Sequence, residues 1–314
     1  MKARVDLTVL FMLLLIACGD DAPDGDSTAT AVEPTTTAES GPLVGLGEVE
    51  LVDLGYEFTE GPQWMPDDGV LLFTDVDNDT IYQVGADDEV TVFRRPSNFS
   101  NGLAVDPKGR LIAAEAGARR VTRTNGDGTV TPIAERFHGT PLNQPNDIVA
   151  RSDGTIYFTD PTFGIAVAQA ELDFRGIFRI APDGGLTAER RGDTTEAPNG
   201  LALSPDESLL YVTNYAADLV WAMDVAVDGA LSEARTFVTT GDGPDGMAVD
   251  KAGNLFIATG NGIEVFAPDG VRWGVIPVPR IPANCAFGGP DGRTLFITAR
   301  EGLYRVRVAN PGRF

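Results

Sequence analysis

Six oxygen-bearing side chains recur at one position of a repeated pattern: Glu60, Asn101, Asn146, Asn199, Asp245 and Asn284. Four of them are followed by glycine. A single Asn-Gly or Asp-Gly is an ordinary turn signal. Six polar residues at one repeated position, two of them carboxylates, suit a different chemistry. Calcium takes about 6–8 oxygen ligands at about 2.3–2.6 Å, waters included. Two carboxylates would balance the charge of a divalent ion. The chain holds one His and two Cys, too few for a Cys/His zinc site, and soft or imidazole ligands for copper are lacking. His138, eight residues before Asn146, reads as an exposed loop imidazole. No G-x-S-x-G nucleophile elbow is present, so serine-hydrolase chemistry of that kind is not expected.

The elements that must position these residues follow from the spacing. The six positions are 41, 45, 53, 46 and 39 residues apart. Each is followed by a turn, such as Asp106-Pro107-Lys108-Gly109 or Pro290-Asp291-Gly292, and then by a β-rich run such as Thr155-Ile-Tyr-Phe-Thr or Leu255-Phe-Ile-Ala-Thr. A third strand often comes next, as at Thr80-Ile-Tyr-Gln-Val. A period of about 45 residues with several strands per repeat predicts a propeller. Residues 45–314 accommodate six units, so the fold class is all-β, a six-bladed β-propeller of four-stranded blades. Leu46 to Leu54 precedes the first repeat and is strand-like; it supplies the outer strand of the last blade and closes the ring. The first strand of each blade lines the axis, so the six polar positions converge on one face. The second strand returns to that face 14 or 15 residues later, at Asp75, Glu115, Asp160 and Asn214. These form either an outer polar ring around the mouth or ordinary turn starts. The 53-residue interval places Thr162 to Arg175 in an extra loop that could cover the pocket. Cys285 directly follows a channel position, so the strand period of two points it away from the axis as a small buried hydrophobe.

The N-terminus reads as an address. Lys2 and Arg4 precede an almost wholly apolar run, Leu7 to Ala17, of 11 residues. At about 1.5 Å per residue this cannot span a bilayer core of about 30 Å, and it reads as a signal peptide over residues 1–17. The run ends Leu15-Ile16-Ala17-Cys18-Gly19, which resembles the bacterial lipobox and implies a diacylated Cys18 as the mature N-terminus. Residues 18–44 form an acidic, Thr-rich tether; Gly19 to Pro42 holds six acids and no base. The expected location is therefore exported and membrane-anchored, on the periplasmic or extracellular face, with membrane contact only through the lipid. With Cys18 acylated, Cys285 has no disulfide partner. Lys and Arg number 24 against 46 Asp and Glu, a net charge of −22, which excludes a basic nucleic-acid surface. Nothing in the sequence signals oligomerisation, and a monomer is expected.

The segments Phe58-Thr-Glu-Gly-Pro-Gln-Trp, Leu142-Asn-Gln-Pro-Asn-Asp-Ile-Val, Ser152-Asp-Gly-Thr-Ile-Tyr-Phe-Thr-Asp-Pro-Thr-Phe-Gly, Pro198-Asn-Gly-Leu-Ala-Leu-Ser-Pro-Asp-Glu and Pro244-Asp-Gly-Met-Ala-Val-Asp resemble the senescence-marker-protein, gluconolactonase and luciferin-regenerating-enzyme family. The likeness covers about residues 50–310, and the Leu-Asn-x-Pro-Asn-Asp stretch resembles the bacterial gluconolactonase branch. The resemblance implies a divalent cation in the axial channel, usually calcium, with Mg, Mn or Zn as alternatives, held by Glu60, Asn146, Asn199 and Asp245. It implies hydrolysis of lactones, small-molecule substrates that would meet Asn101, Asn143, Gln144, Asp160 and Asn284. Gln144 stands where animal members carry an Arg that contacts sugar, so that contact does not carry over; Asn143 could supply a substrate hydrogen bond instead.

In a lactonase of this kind the ion polarises the carbonyl and a carboxylate takes a proton from water. Asp245 is the first candidate for that base, as the resemblance suggests, and Glu60 the second. Metal binding lowers a carboxylate's proton affinity, which leaves Asp160 or Glu115 in the outer ring as further candidates. Two other readings use the same residues: a phosphotriesterase-like metal hydrolase, and a non-catalytic propeller that binds a ligand or partner. The address is tested independently of all three. Labelled palmitate fed to expressing bacteria should be incorporated into the protein and lost in C18A; label retained by the variant would contradict the lipobox reading.

Overall fold

The computed structural model describes residues 41–165 and 167–313. The signal segment, Cys18 and the tether up to residue 40 lie outside the described residues. Six antiparallel four-stranded sheets follow one another in chain order, a six-bladed β-propeller. The innermost strands begin at or beside the six polar positions: Thr59–Met65, Ser100–Val105, Ile148–Ala150, Pro198–Leu203, Met247–Val249 and Asn284–Gly288. Glu50–Leu54 pairs antiparallel with Gly302–Arg307 as the outermost strand of the sixth blade. The first and last parts of the propeller are thus joined in one sheet, and the ring has no open edge.

Burial falls from the second strand outward, and the sequence follows it. Second strands such as Leu255–Thr259 and Ile156–Asp160 are buried at every residue, because a neighbouring blade covers each face. Runs of Leu, Ile, Phe and Tyr without polar alternation suit that environment. The outermost strand Val90–Arg94 exposes its three central residues to solvent. The hydrophobic core is correspondingly divided. Six apolar clusters each fill the space between two adjacent blades, from Leu72 with Leu111 between the first and second blades to Phe73 with Phe296 between the first and last. Cys285 belongs to the cluster between the fifth and sixth blades, as the strand period predicts.

Pro42 is buried and Leu43 and Leu46 pack on that same cluster, so these residues before the first strand already belong to the folded body. At the other end, residues 311–313 cross the far mouth of the axial channel. The Arg313 amide donates to Val249 O at 3.0 Å, Lys251 N donates to Pro311 O at 2.9 Å, and the Arg313 guanidinium pairs with Glu207.

Glycine after the channel residue is a packing requirement. A Cβ on Gly200 would lie 2.3 Å from Asp245 O and 2.5 Å from the Gly246 Cα. A Cβ on Gly102 would meet the Asp147 Cα at 2.6 Å. The obstacle is neighbouring backbone, which cannot swing aside. Substituting Gly200→Ala should therefore destabilise the fold by about 2 kcal/mol or more, read as a lower urea midpoint. An unchanged midpoint would show that the blades can separate at low cost.

Candidate axial metal site

The six polar positions converge at one end of the channel. Asn284 Nδ2 donates to Glu60 Oε2 at 3.2 Å across the junction of the last and first blades, and the Gly61 amide donates to the same oxygen at 3.2 Å. Asn199 hydrogen-bonds the Asp245 side chain. Glu60, Asn101, Asn146, Asn199 and Asn284 are buried. Asp245 keeps partial access to solvent at the surface of the ring.

Threonines of the second strands tie the inner strands to one another. Thr74 Oγ1 donates to Asn101 O at 3.0 Å, Thr159 Oγ1 to Asn199 O at 2.7 Å, and Thr213 Oγ1 to Asp245 O at 2.9 Å, each reaching into the following blade. The Gly102 amide donates to Asn146 O at 2.7 Å. The backbone that carries each polar side chain is therefore held by the blade before it. The sequence signal was the recurring Thr one residue before the end of the second strand, at Thr74, Thr159 and Thr213.

One residue of the ring escapes the repeat. Where Glu60, Asn101, Asn199 and Asp245 are followed by glycine, Asn146 is followed by Asp147. Its Oδ1 accepts from the Ile148 amide at 2.9 Å and its Oδ2 from the Leu201 amide at 3.2 Å, in the next blade. It lies against Gly102, and Asn284 bonds it from the side. Asp147 is a third buried carboxylate on the axis. Below it the channel opens into a cavity of about 420 Å³ that runs from Asp147 and Asn284 to Arg151, Glu207 and Arg313 at the opposite face. This cavity thus lies behind the polar ring, and Asp245 is not among its lining residues.

Burying three carboxylates together raises their proton affinity. Glu60 is pushed up to about 8, first by burial and then by the charge of Asp147; the Gly61 amide, Asn284 and Arg300 oppose the rise. Asp245 is raised well above the usual carboxylate range by burial and by Glu60 and Asp147, with Asn199 and Arg300 opposing. Asp147 is pushed up to about 6 by burial, against its two backbone amides and Asn284.

The outer positions behave differently from the expectation of a polar ring at the mouth. Asp160 is fully buried, and its two oxygens accept from the Asn143 amide at 2.8 Å and the Gln144 amide at 2.7 Å. Asp75 accepts from the Glu57 and Phe58 amides, and Asn214 Oδ1 accepts from the Ala197 amide. Glu115 is fully buried among Asn98, Arg120 and Thr122. These side chains are buried and brace the loops that enter the inner strands, rather than lining an open mouth. Asn143, expected to meet substrate, is likewise fully buried. It donates to Phe174 O at 2.9 Å and accepts from the Leu172 amide at 3.2 Å, fastening the extra loop. Gln144 Oε1 accepts from Gly164 of that loop at 2.7 Å. Asn101 and Asn284 do lie in the ring. His138 is exposed at a hairpin turn, stacked edge-on against Phe137.

The donor set fits a hard divalent cation. Glu60 and Asp245 supply charge, Asn146 and Asn199 supply amide oxygens, and Asn101 Oδ1 is buried with no hydrogen-bond partner, an acceptor that a cation or its water would satisfy. Among the described residues no three His, Cys, Asp or Glu side chains group closely enough to hold a metal by themselves, so the amides are essential to such a site.

Residues 58–301 match the family model described as the SMP-30/gluconolactonase/LRE-like region. A gluconolactonase of Zymomonas mobilis is 34% identical over 299 residues, covering 84% of this chain and 82% of that protein. The structure of XC5397 from Xanthomonas campestris, described as a gluconolactonase, superposes with a TM-score of 0.78 at 34% identity, over 84% of this chain and 90% of that one. A calcium-binding regucalcin from Agrobacterium tumefaciens shares the fold, with a TM-score of 0.73 at 22% identity over 85% and 96% of the two chains. The chain belongs to the SMP-30/gluconolactonase/LRE-like family.

The raised carboxylates link stability to pH with a definite sign. A carboxyl whose folded pKa exceeds its unfolded value stabilises the fold most when protonated, and that contribution is lost as pH rises through the folded value. In chelator the protein should lose thermal stability between about pH 4 and pH 8, the window set by Glu60 and Asp147. Added calcium should raise the Tm more at pH 8 than at pH 5, because it binds the ionised carboxylates. An equal calcium effect at both pH values would contradict this electrostatic picture.

Proposed function

We propose that this chain hydrolyses lactones with a divalent cation, calcium in the first instance, held by Glu60, Asn146, Asn199 and Asp245. The gluconolactonase relatives support the reaction class. The observation that carries the metal assignment is the pairing of two raised carboxylates, Glu60 and Asp245, with neutral amides in one ring, where Arg300 and the hydrogen bonds of Gly61, Asn284 and Asn199 offset the rise only in part. When bound, the cation supplies Lewis-acid polarisation of the lactone carbonyl.

The chain's own residues do the rest. Asp245 takes the proton of the attacking water. It is the ring carboxylate with access to solvent, and burial together with Glu60 and Asp147 keeps its proton affinity high. Asn199 hydrogen-bonds Asp245 and fixes the orientation of its carboxylate. Glu60 is oriented by Asn284 and Gly61 and acts as a charge-bearing ligand. As the ring C–O bond breaks, the departing alkoxide recovers the proton from Asp245, leaving a hydroxy acid. Export and anchoring through Cys18 belong to the same proposal and would deliver this activity to the outer face of a membrane.

In D245N, kcat for lactone hydrolysis should fall about a thousand-fold, measured by proton release at saturating calcium. Retained turnover would remove Asp245 from the mechanism and move the base to Glu60.

A further inference from the structure

On the face where substrate must enter, three polar side chains of the third blade are engaged by the fold, and aromatic ones nearby are left exposed. Asp160, Asn143 and Gln144 are all engaged with backbone. Phe163, in the loop that Gln144 holds through Gly164, is 46% exposed. Tyr215 follows Asn214, the side chain that braces Ala197 two residues before Asn199, and it is also 46% exposed. The two rings meet edge to face, with centroids 5.6 Å apart. Neither belongs to any of the six apolar clusters. Phe163 follows the second strand of the third blade and Tyr215 that of the fourth, so the pair bridges these blades on the face where Asn146 and Asn199 lie, without serving the core.

A third exposed aromatic, Phe99, precedes Ser100 and Asn101 in the second blade. It adopts φ +54°, a left-handed conformation that is unfavourable for a bulky residue. Asp79 holds it there by accepting from the Phe99 amide at 2.7 Å and from Ser97. Backbone strain maintained by a dedicated side chain is a feature of sites that present a residue. Across the ring, on the sixth blade, the mouth carries a cation. Arg300 lies 5.5 Å from the ring of Phe58, and its carbonyl accepts from the Thr59 amide beside Glu60. The mouth thus carries exposed aromatic rings over the second to fourth blades, with cations at Arg119 of the second blade, paired with Glu171, and at Arg300 of the sixth.

We propose that Phe163 and Tyr215 form an apolar wall that selects lactones carrying a hydrocarbon substituent over unsubstituted ones. The inference rests on the lactonase reading. Each methylene taken from water into such a wall strengthens binding about fourfold at most, and a substituent of several carbons would cover both rings. A polar substituent directed the same way would find no free partner on Asp160, Asn143 or the Gln144 carbonyl.

The test uses the full chain with calcium and compares kcat/KM for γ-octanolactone and unsubstituted γ-butyrolactone. The wild-type protein should favour the octanolactone by at least about tenfold. F163A and Y215A should each lower that ratio by about tenfold, while Y215F, which keeps the ring, and F93A, which removes an exposed aromatic from the outer edge of the first blade, keep it. A wild-type ratio near one, or an unaltered ratio in both alanine variants, overturns the wall. Hydrolysis of neither lactone by the wild-type protein, nor of any other lactone, overturns the lactonase reading itself and the wall with it.

Discussion

Three carboxylates gather on one axis, Glu60 and Asp147 buried and Asp245 partly so, and Arg300 is the cation that acts on both ring carboxylates. Glu60, Asp147 and Asp245 repel one another, and Arg300 joins the Gly61 amide, Asn284 and Asn199 in opposing the rise at the two ring carboxylates. Such a cluster is tolerated because the surrounding ring is closed and rigid. Each blade packs on two neighbours, the strand that precedes the first blade completes the sheet of the last, and threonines lock successive inner strands at the height of the polar residues. A flexible scaffold would relax the repulsion by moving the carboxylates apart. This one holds them in place, and the proposed divalent ion would offset their charge with the neighbouring amides as further ligands.

The same geometry assigns different work to residues that look alike in sequence. Asp245 and Asp160 are both acids at strand ends on one face. Asp245 faces the ring and keeps solvent access, whereas Asp160 is enclosed and accepts two backbone amides. Burial still pushes Asp160 up to about 7, despite those two bonds. A raised value alone therefore does not mark a reactive group; access to the substrate face separates the two.

Much of the architecture was legible because it repeats. The period, the turns and the apolar second strands define six blades, and the strand-like segment before the first repeat is the one that closes the ring. The axial position of Glu60, Asn101, Asn199, Asp245 and Asn284 follows from equivalence between blades. What repetition could not reveal is the exception to it. Asp147 occupies a glycine position, and strand alternation would turn it away from the axis beside Asn146. The inner strands are irregular at this level, with register shifts between Glu60 and Gln63 and between Pro198 and Leu201, so adjacent residues can both face inward. The outer ring failed for a related reason. Asp75, Asp160 and Asn214 do recur with the expected spacing, but the backbone amides of the entering loops claim them first. Unpaired amides in a buried loop are costly, and only the folded structure shows where they fall.

The most direct test of the account is proton release by the purified protein across a panel of slowly hydrolysing lactones, each in calcium and in chelator. The account predicts turnover of at least one lactone in calcium, its loss in chelator, and its recovery when calcium is restored. Equal turnover with and without the cation would contradict the central claim that the axial carboxylates work through a bound metal.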